Sequence, residues 1–246
     1  MTRYSDSNLH LYGDDRGSAH GAVTSLPGGD ALSQYRRESD SEQHESKERQ
    51  QIEILLRFFD DSRKYCVCMV DMVSSTAISR SLGDSGVGRY YSIFLNRMAN
   101  IATNFGAVVV KNIGDSILYY FPETELGTPA SFKNVLLCGI AMLEEREPLN
   151  RKMRNEGLPE VSYRVSCEYG SVAVAKVSTS SVNDIFGTTV NHCSRINDFA
   201  PRDSMVIGQG MYEKVRSLDS FAFAESLLPT SSAEEGLYRM YIVRRT

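Results

Sequence analysis

Two aspartates stand where apolar runs end. Asp71 closes the run Tyr65–Val70 (YCVCMV), and Asp115 sits in the Gly114–Asp115 break between the β-rich runs Ala107–Ile113 and Ser116–Phe121. The first run reads as a buried strand and the other two as a hairpin. If these strands are neighbours in one sheet, the two carboxylates converge. Mg²⁺ takes few ligands from a protein and fills its shell with water and phosphate oxygens, so two carboxylates suit it. A pair of such ions can stabilise the attacking and leaving oxygens of an in-line displacement. Alone, the two residues read as turn chemistry, the usual reason for Asp in a turn.

The surrounding residues change that weighting. Lys111–Asp115 reads K-x-x-G-D, and Asp184–Ile196 reads DIFGTTVNHCSRI. With VDMVSST around Asp71 and RVSCEYG over Arg164–Gly170, these four motifs resemble, in order and spacing, the catalytic domain of class III adenylyl and guanylyl cyclases. The resemblance spans residues 65–243. Diguanylate cyclases and polymerase palms share the fold idea but lack the D-x-x-G-x-x-V-N-x-x-x-R string.

The resemblance implies a role for each matching residue. Asp71 and Asp115 match the metal-binding aspartates, with the Met72 carbonyl as an extra ligand, for two ions of Mg²⁺ or Mn²⁺ per site. Lys111 and Asp184 match the pair that reads the purine. A cation donor and a carboxylate acceptor suit adenine, whereas guanylyl enzymes typically carry Glu and Cys there. Asn191 and Arg195 match the pair that orients the ribose and steadies charge at the α-phosphate; at i and i+4 they share one helix face. The implied activity is conversion of ATP to 3′,5′-cyclic AMP and pyrophosphate. It takes place in a homodimer, with the metal aspartates from one protomer and the other four residues from its partner. Each residue alone has an ordinary reading: Lys111 as a solvated strand lysine, Arg195 as a surface helix residue, Asp184 and Asn191 as local caps. All six in one family pattern favour catalysis. A guanylate or relaxed-specificity cyclase, and a non-catalytic nucleotide-sensing or dimerisation module, remain the alternatives.

Two departures bear on the triphosphate. Ser74 stands where the family often has Gly, and Ala233–Glu234–Glu235 where it often has a phosphate-binding Lys; Arg239 and Arg164 are the substitutes at hand. Gly83–Gly88 lacks the G-x-x-x-x-G-K-[ST] pattern and reads as a helix break.

Around these motifs the elements follow hydrophobic periodicity. Ser74–Thr76 offers N-cap chemistry for a helix that continues through Tyr91, Phe94, Met98 and Ile101 to Gly106. A second helix is expected over Ser131–Glu147, then strands at Val161–Glu168 and Ser171–Val177 flanking Gly170. A helix over Thr188–Phe199 and short strands near Met205, Phe221 and Tyr238 follow. This is an α+β chain: a ferredoxin-like βαββαβ core with additional C-terminal strands, forming an antiparallel sheet with helices on one face.

The 246 residues carry a net charge of −4, which argues against a nucleic-acid partner. Residues 1–46 are polar and read as disordered. Residues 47–64, with Ile52, Leu55, Leu56 and Phe59 at helical spacing, read as an amphipathic helix. Residues 65–246 hold the catalytic domain, and residues 1–64 are where a regulatory partner is expected. The five cysteines, Cys66, Cys68, Cys138, Cys167 and Cys193, fit reduced thiols. No run is long enough for a membrane span and the N-terminus has no apolar signal core, so the expected location is the cytoplasm.

Overall fold

The apolar run around Cys66 forms β2 (Arg63–Met72), which lies between β4 (Ser116–Phe121) and β5 (Tyr163–Val177). The computed structural model describes residues 56–228 and 238–246. The expected disorder of residues 1–46, the first part of the expected 47–64 helix, and Ala233–Glu235 lie outside the described residues.

Helix α1 (Ser75–Asn104) links β2 to β3 (Val108–Ile113), and the Gly114–Asp115 turn leads into β4. Helices α2 (Pro129–Glu144) and α3 (Arg146–Asn155) then lead to β5. The strand order β3-β4-β2-β5, antiparallel throughout, is the expected βαββαβ core. After it come β6 (Asp184–Phe186), α4 (Thr188–Phe199), β7 (Ser204–Gly208), α5 (Gln209–Val215), β8 (Phe221–Leu228) and β9 (Tyr238–Arg245). β7 pairs with β5 in parallel, so the sheet is mixed.

Alternate side chains of β2 serve two cores. Cys66, Cys68, Val70 and Met72 pack against Tyr90, Phe94 and Met98 of α1 and Phe132, Val135 and Leu136 of α2. Val67 and Met69 face the other way, into a smaller cluster with Leu118, Ile185 and Cys193. Cys193 belongs to α4, so helices do not occupy one face only. Cys193, Ile196 and Asn197 are the buried stripe of α4, and the second face of β2 and β5 is the surface that covers it.

Gly83, at φ 63° and ψ 173°, is non-helical and divides α1 into two helical segments across a kink, where the sequence suggests a break. Other elements depart from their expected form. Gly170 interrupts nothing: β5 runs through it for 15 residues. A Cβ at Gly170 would sit 2.5 Å from Thr189 Oγ1, so the glycine lets α4 approach the strand. Leu56–Phe58 form a strand, β1, not a helix, because they pair with the far end of β5. Exposed backbone on β5 overrides a short helical periodicity. The five cysteines are all buried free thiols; burial pushes Cys68, Cys138 and Cys193 up to about 12. Among the described residues no helix is long and apolar enough to cross a membrane.

Candidate active site

Strand register brings the first carboxylate to its neighbours. Asp71 lies opposite Ser116 of β4 on one side and Arg164 of β5 on the other. Ser116 Oγ donates to Oδ1 at 2.5 Å, and Arg164 Nη2 donates to Oδ2 at 2.8 Å. Alternation along β2 points Asp71 to the face that α4 covers. Asp115 precedes Ser116 in the hairpin turn, where Gly114 takes φ 61°. The two carboxylates therefore stand at adjoining strand ends, as the sequence suggests. The Met72 side chain is buried in the main core, so only its backbone can face a ligand.

These donors fit divalent metal ions. Both are hard carboxylate oxygens, and among the described residues no group of three or more His, Cys, Asp or Glu gathers to form a closed protein cage. That is the open, oxygen-poor protein shell in which phosphate and water complete the coordination of Mg²⁺.

Arg164 links this corner to α4. Its Nη1 donates to the Asp198 carbonyl at 2.8 Å, in the last turn of the helix, where a cation is favoured by the helix dipole. Its Nε is buried without an acceptor, so the guanidinium has donor capacity beyond its two partners. Arg239, the other cation considered for the triphosphate, pairs with Glu225 at 3.4 Å on the β8–β9 ribbon. Beyond Asp71 the chain turns through Ser74, a serine at φ 64° in the left-handed region. Ser74 does not cap α1 with its side chain; its Oγ accepts from Arg202 Nη2 at 2.8 Å.

Lys111 and Asp184 meet: Nζ lies 2.5 Å from Oδ2, although 73 positions separate them in the chain. A β-bulge makes this contact. Val109 pairs with Tyr119, but Lys111 pairs with Leu118, leaving Val110 as the extra residue. Tyr119 faces the main core and Leu118 the smaller one, so the bulge turns Lys111 onto the side where β6 lies. Lys111 Nζ also stands 5.6 Å from the centroid of the Phe186 ring, within cation–π range. Asp184 uses its other oxygen, Oδ1, to accept the Ile185 N–H at 2.8 Å.

Asn191 and Arg195 are on α4, as expected. The helix starts after Gly187 and is tied down on its inner side. Cys193 Sγ donates to the Val67 carbonyl at 3.2 Å, and Asn197 Nδ2 to Ser166 Oγ at 3.1 Å. With Cys193 buried, Asn191 lies exposed and Arg195 half-buried on the helix.

One chain does not gather all six residues at one point. Asp71 pairs with Arg164 near the start of β5, and Asp184 with Ala175 near its end, most of a 15-residue strand away. Sequence reasoning missed Ser116 and Phe186. Ser116 could have been found from hairpin register alone; Phe186 lies within the DIFG string, but its ring neighbours Phe58 and Lys111 are distant in the chain.

Residues 60–227 match the model of the adenylate and guanylate cyclase catalytic domain. The chain is 28% identical over 171 residues to an adenylate cyclase of Streptomyces coelicolor, covering 70% of this chain and 36% of that protein. An adenylate cyclase of Streptomyces griseus is 28% identical over 145 residues, covering 59% of this chain and 31% of that one. The chain thus spans about a third of the length of these relatives. Among solved structures, the adenylyl cyclase CyaB from P. aeruginosa superposes with a TM-score of 0.68 at 20% identity, over 76% of this chain and 96% of that one. The guanylyl cyclase Cya2 gives 0.66 at 19%, over 74% and 92%. The match in fold, in domain model and in the placement of the motifs agrees: this chain belongs to the adenylate and guanylate cyclase catalytic domain family.

Proposed function

We propose that this domain converts ATP to 3′,5′-cyclic AMP and pyrophosphate at a site shared by two copies of the chain. The observation that carries the substrate is the contact between Lys111 and Asp184. An ammonium donor beside a carboxylate acceptor matches a purine edge with a ring-nitrogen acceptor next to an exocyclic amine donor. Guanine presents a carbonyl where adenine has the amine, and would face the Asp184 carboxylate with like polarity.

The chain's own residues divide the work. Asp71, Asp115 and the Met72 carbonyl would hold two divalent ions, Mg²⁺ or Mn²⁺, which would acidify the ribose 3′-hydroxyl and neutralise the triphosphate. Arg164 lies beside Asp71 and is the cation best placed to meet a phosphate oxygen there. Asn191 orients the ribose, and Arg195 offsets charge at the α-phosphate, a positioning and electrostatic role that phosphoryl transfer mainly requires. The 3′-hydroxyl gives up its proton to solvent, its oxygen bonds to the α-phosphorus, the bond from that phosphorus to the α–β bridging oxygen breaks, and pyrophosphate leaves.

One argument supports a homodimeric site. Asp71 and Asp184 pair with opposite ends of β5. A relative in fold, the guanylyl cyclase domain of the RhoGC fusion protein from Blastocladiella emersonii, is described as a non-canonical dimer in one structure (TM-score 0.61) and as monomeric in another (TM-score 0.59). A two-fold axis would then give two equivalent sites.

Purified protein incubated with ATP or GTP, and with Mg²⁺ or Mn²⁺, is the test, with products identified by chromatography. Cyclic AMP is expected. Cyclic GMP as the main product reassigns the base, and nucleotide binding without turnover makes the domain a nucleotide-sensing module. In the Lys111→Glu/Asp184→Cys variant, kcat/KM for ATP is expected to fall relative to GTP by roughly a hundred-fold, as two unpaired polar contacts would give once the bound base excludes water from them.

A further inference from the structure

The purine-reading pair has a neighbour outside the cyclase motifs. Phe58 of β1 places its ring 5.4 Å from that of Phe186, at an interplanar angle of 60°. Phe186 in turn lies under the Lys111 ammonium, which binds Asp184. Phe58, Phe186, Lys111 and Asp184 form one row on the surface.

Register explains how β1 and β6 reach each other across an intervening strand. Phe58 and Asp184 both pair with Ala175, from opposite edges of β5, and Phe186 pairs with Ala173. Alternation puts Ala173, Ala175, Phe58, Asp184 and Phe186 on one face. Strands two apart are about 9.5 Å from each other, so rings on them meet only if the residues between are small. Alanine at 173 and 175 meets that condition.

β1 is weakly held. It has three residues, all exposed, and among the described residues pairs only with β5; the Phe59 N–H adds one bond to the Val174 carbonyl at 2.9 Å. Phe58 remains 50% exposed, so it is no part of either core. Short, exposed, one-sided elements open at far lower cost than the fold as a whole. β1 is also where the chain before residue 56 enters the described fold.

We propose that Phe58 is a positioning residue for base recognition: it backs Phe186, which holds Lys111 against Asp184, so that docking of β1 sets the preference for adenine. This makes β1 the point through which events N-terminal to it reach the substrate site. The proposal rests on the assignment of Lys111 and Asp184 as the purine readers.

The test measures kcat, KM and the dissociation constants for ATP and GTP in the full chain and in Phe58→Ala, Phe58→Tyr, Lys111→Ala and Phe58→Ala/Lys111→Ala, with thermal unfolding as the check on folding. Phe58→Ala is expected to lower kcat/KM for ATP about three- to ten-fold, the scale of one aromatic contact. The loss should lie mainly in KM, with a smaller loss for GTP. Phe58→Tyr should restore the wild-type ratio, and Phe58→Ala should have no further effect once Lys111 is removed. If Lys111→Ala shifts the ATP-to-GTP ratio and Phe58→Ala does not, the role of Phe58 is refuted and the purine readers stand. Equal losses for both nucleotides in Phe58→Ala, or additivity with Lys111→Ala, reduce Phe58 to a structural residue. An unchanged ratio in Lys111→Ala, in turnover and in binding, overturns the purine assignment and this proposal with it.

Discussion

Arg164 lies directly opposite Asp71 across the β2–β5 pair and donates to its Oδ2 at 2.8 Å. The side chains are only 19% and 16% exposed, so neither charge is well served by water. Two consequences follow from this pairing. Asp71→Ala would strand a largely buried guanidinium and is expected to cost about 2 kcal/mol of stability as well as turnover. Asp71→Asn keeps an oxygen for Arg164 and Ser116, and should lose turnover with a smaller stability loss. Urea denaturation alongside cyclic AMP formation separates the two effects.

On the proposed assignment, Arg164 would compete with a metal for Asp71 and meet a phosphate oxygen, since it donates to the Asp71 carboxylate. Arg164→Ala should therefore tighten binding of Mn²⁺ alone, read by electron paramagnetic resonance, while lowering kcat/KM for ATP. Loss of one charge-assisted hydrogen bond is worth roughly ten- to hundred-fold. Weaker Mn²⁺ binding together with unchanged ATP kinetics would remove Arg164 from the phosphate role.

A shared site predicts complementation. Asp71→Asn and Arg195→Ala chains are each expected to be inactive. Mixed with exchange of protomers, they should regain about a quarter of wild-type activity, because half the dimers are mixed and each of those keeps one of two equivalent sites. Demonstrated exchange with no recovery would place the whole site within one chain.

Ser74 holds a left-handed backbone, φ 64° and ψ 25°, immediately before α1. An L residue there costs about 1–2 kcal/mol, and a β-branched one more. Ser74→Val is expected to destabilise the domain by about 2 kcal/mol, whereas Ser74→Gly should stay within about 1 kcal/mol of wild type, since relief of strain offsets the added freedom of the unfolded chain. If this turn cradles the triphosphate, Ser74→Gly should also lower the KM for ATP. Thermal unfolding and initial rates check both.

Glu168 is buried, accepts the N–H groups of Tyr169 and Met211, and binds the Tyr238 hydroxyl. Burial raises its pKa, outweighing these hydrogen bonds. The folded state therefore holds this proton more tightly than the unfolded chain. The stability it contributes is complete below the ordinary carboxyl pKa and is lost as pH rises through the raised value. Glu168→Gln can keep the contacts, with its carbonyl accepting the two N–H groups and its amide donating to Tyr238. The variant should gain on wild type in urea midpoint as pH rises from acid to neutral. A constant difference across that range would mean that Glu168 does not titrate between the two states.

What local pattern determined, the sequence shows by itself. Apolar runs and turn residues are short-range signals, so β2, the β3–β4 hairpin, α4 and the positions of Asp71, Asp115, Asn191 and Arg195 were legible. What depended on pairing between distant segments was not. The bulge at Val110 turns Lys111 toward Asp184, and period-2 alternation alone would have sent it to the other face. Gly170 reads as a break but serves the approach of Thr189 from α4. The helical spacing expected over residues 47–64 gives way at Leu56–Phe58 to strand β1, because the free edge at the end of β5 offers backbone partners that an isolated turn of helix lacks. The face that α4 covers was likewise undecided until β2 and β5 supplied a second apolar surface. Periodicity states which side chains share a side; only the packed sheet decides what lies against it.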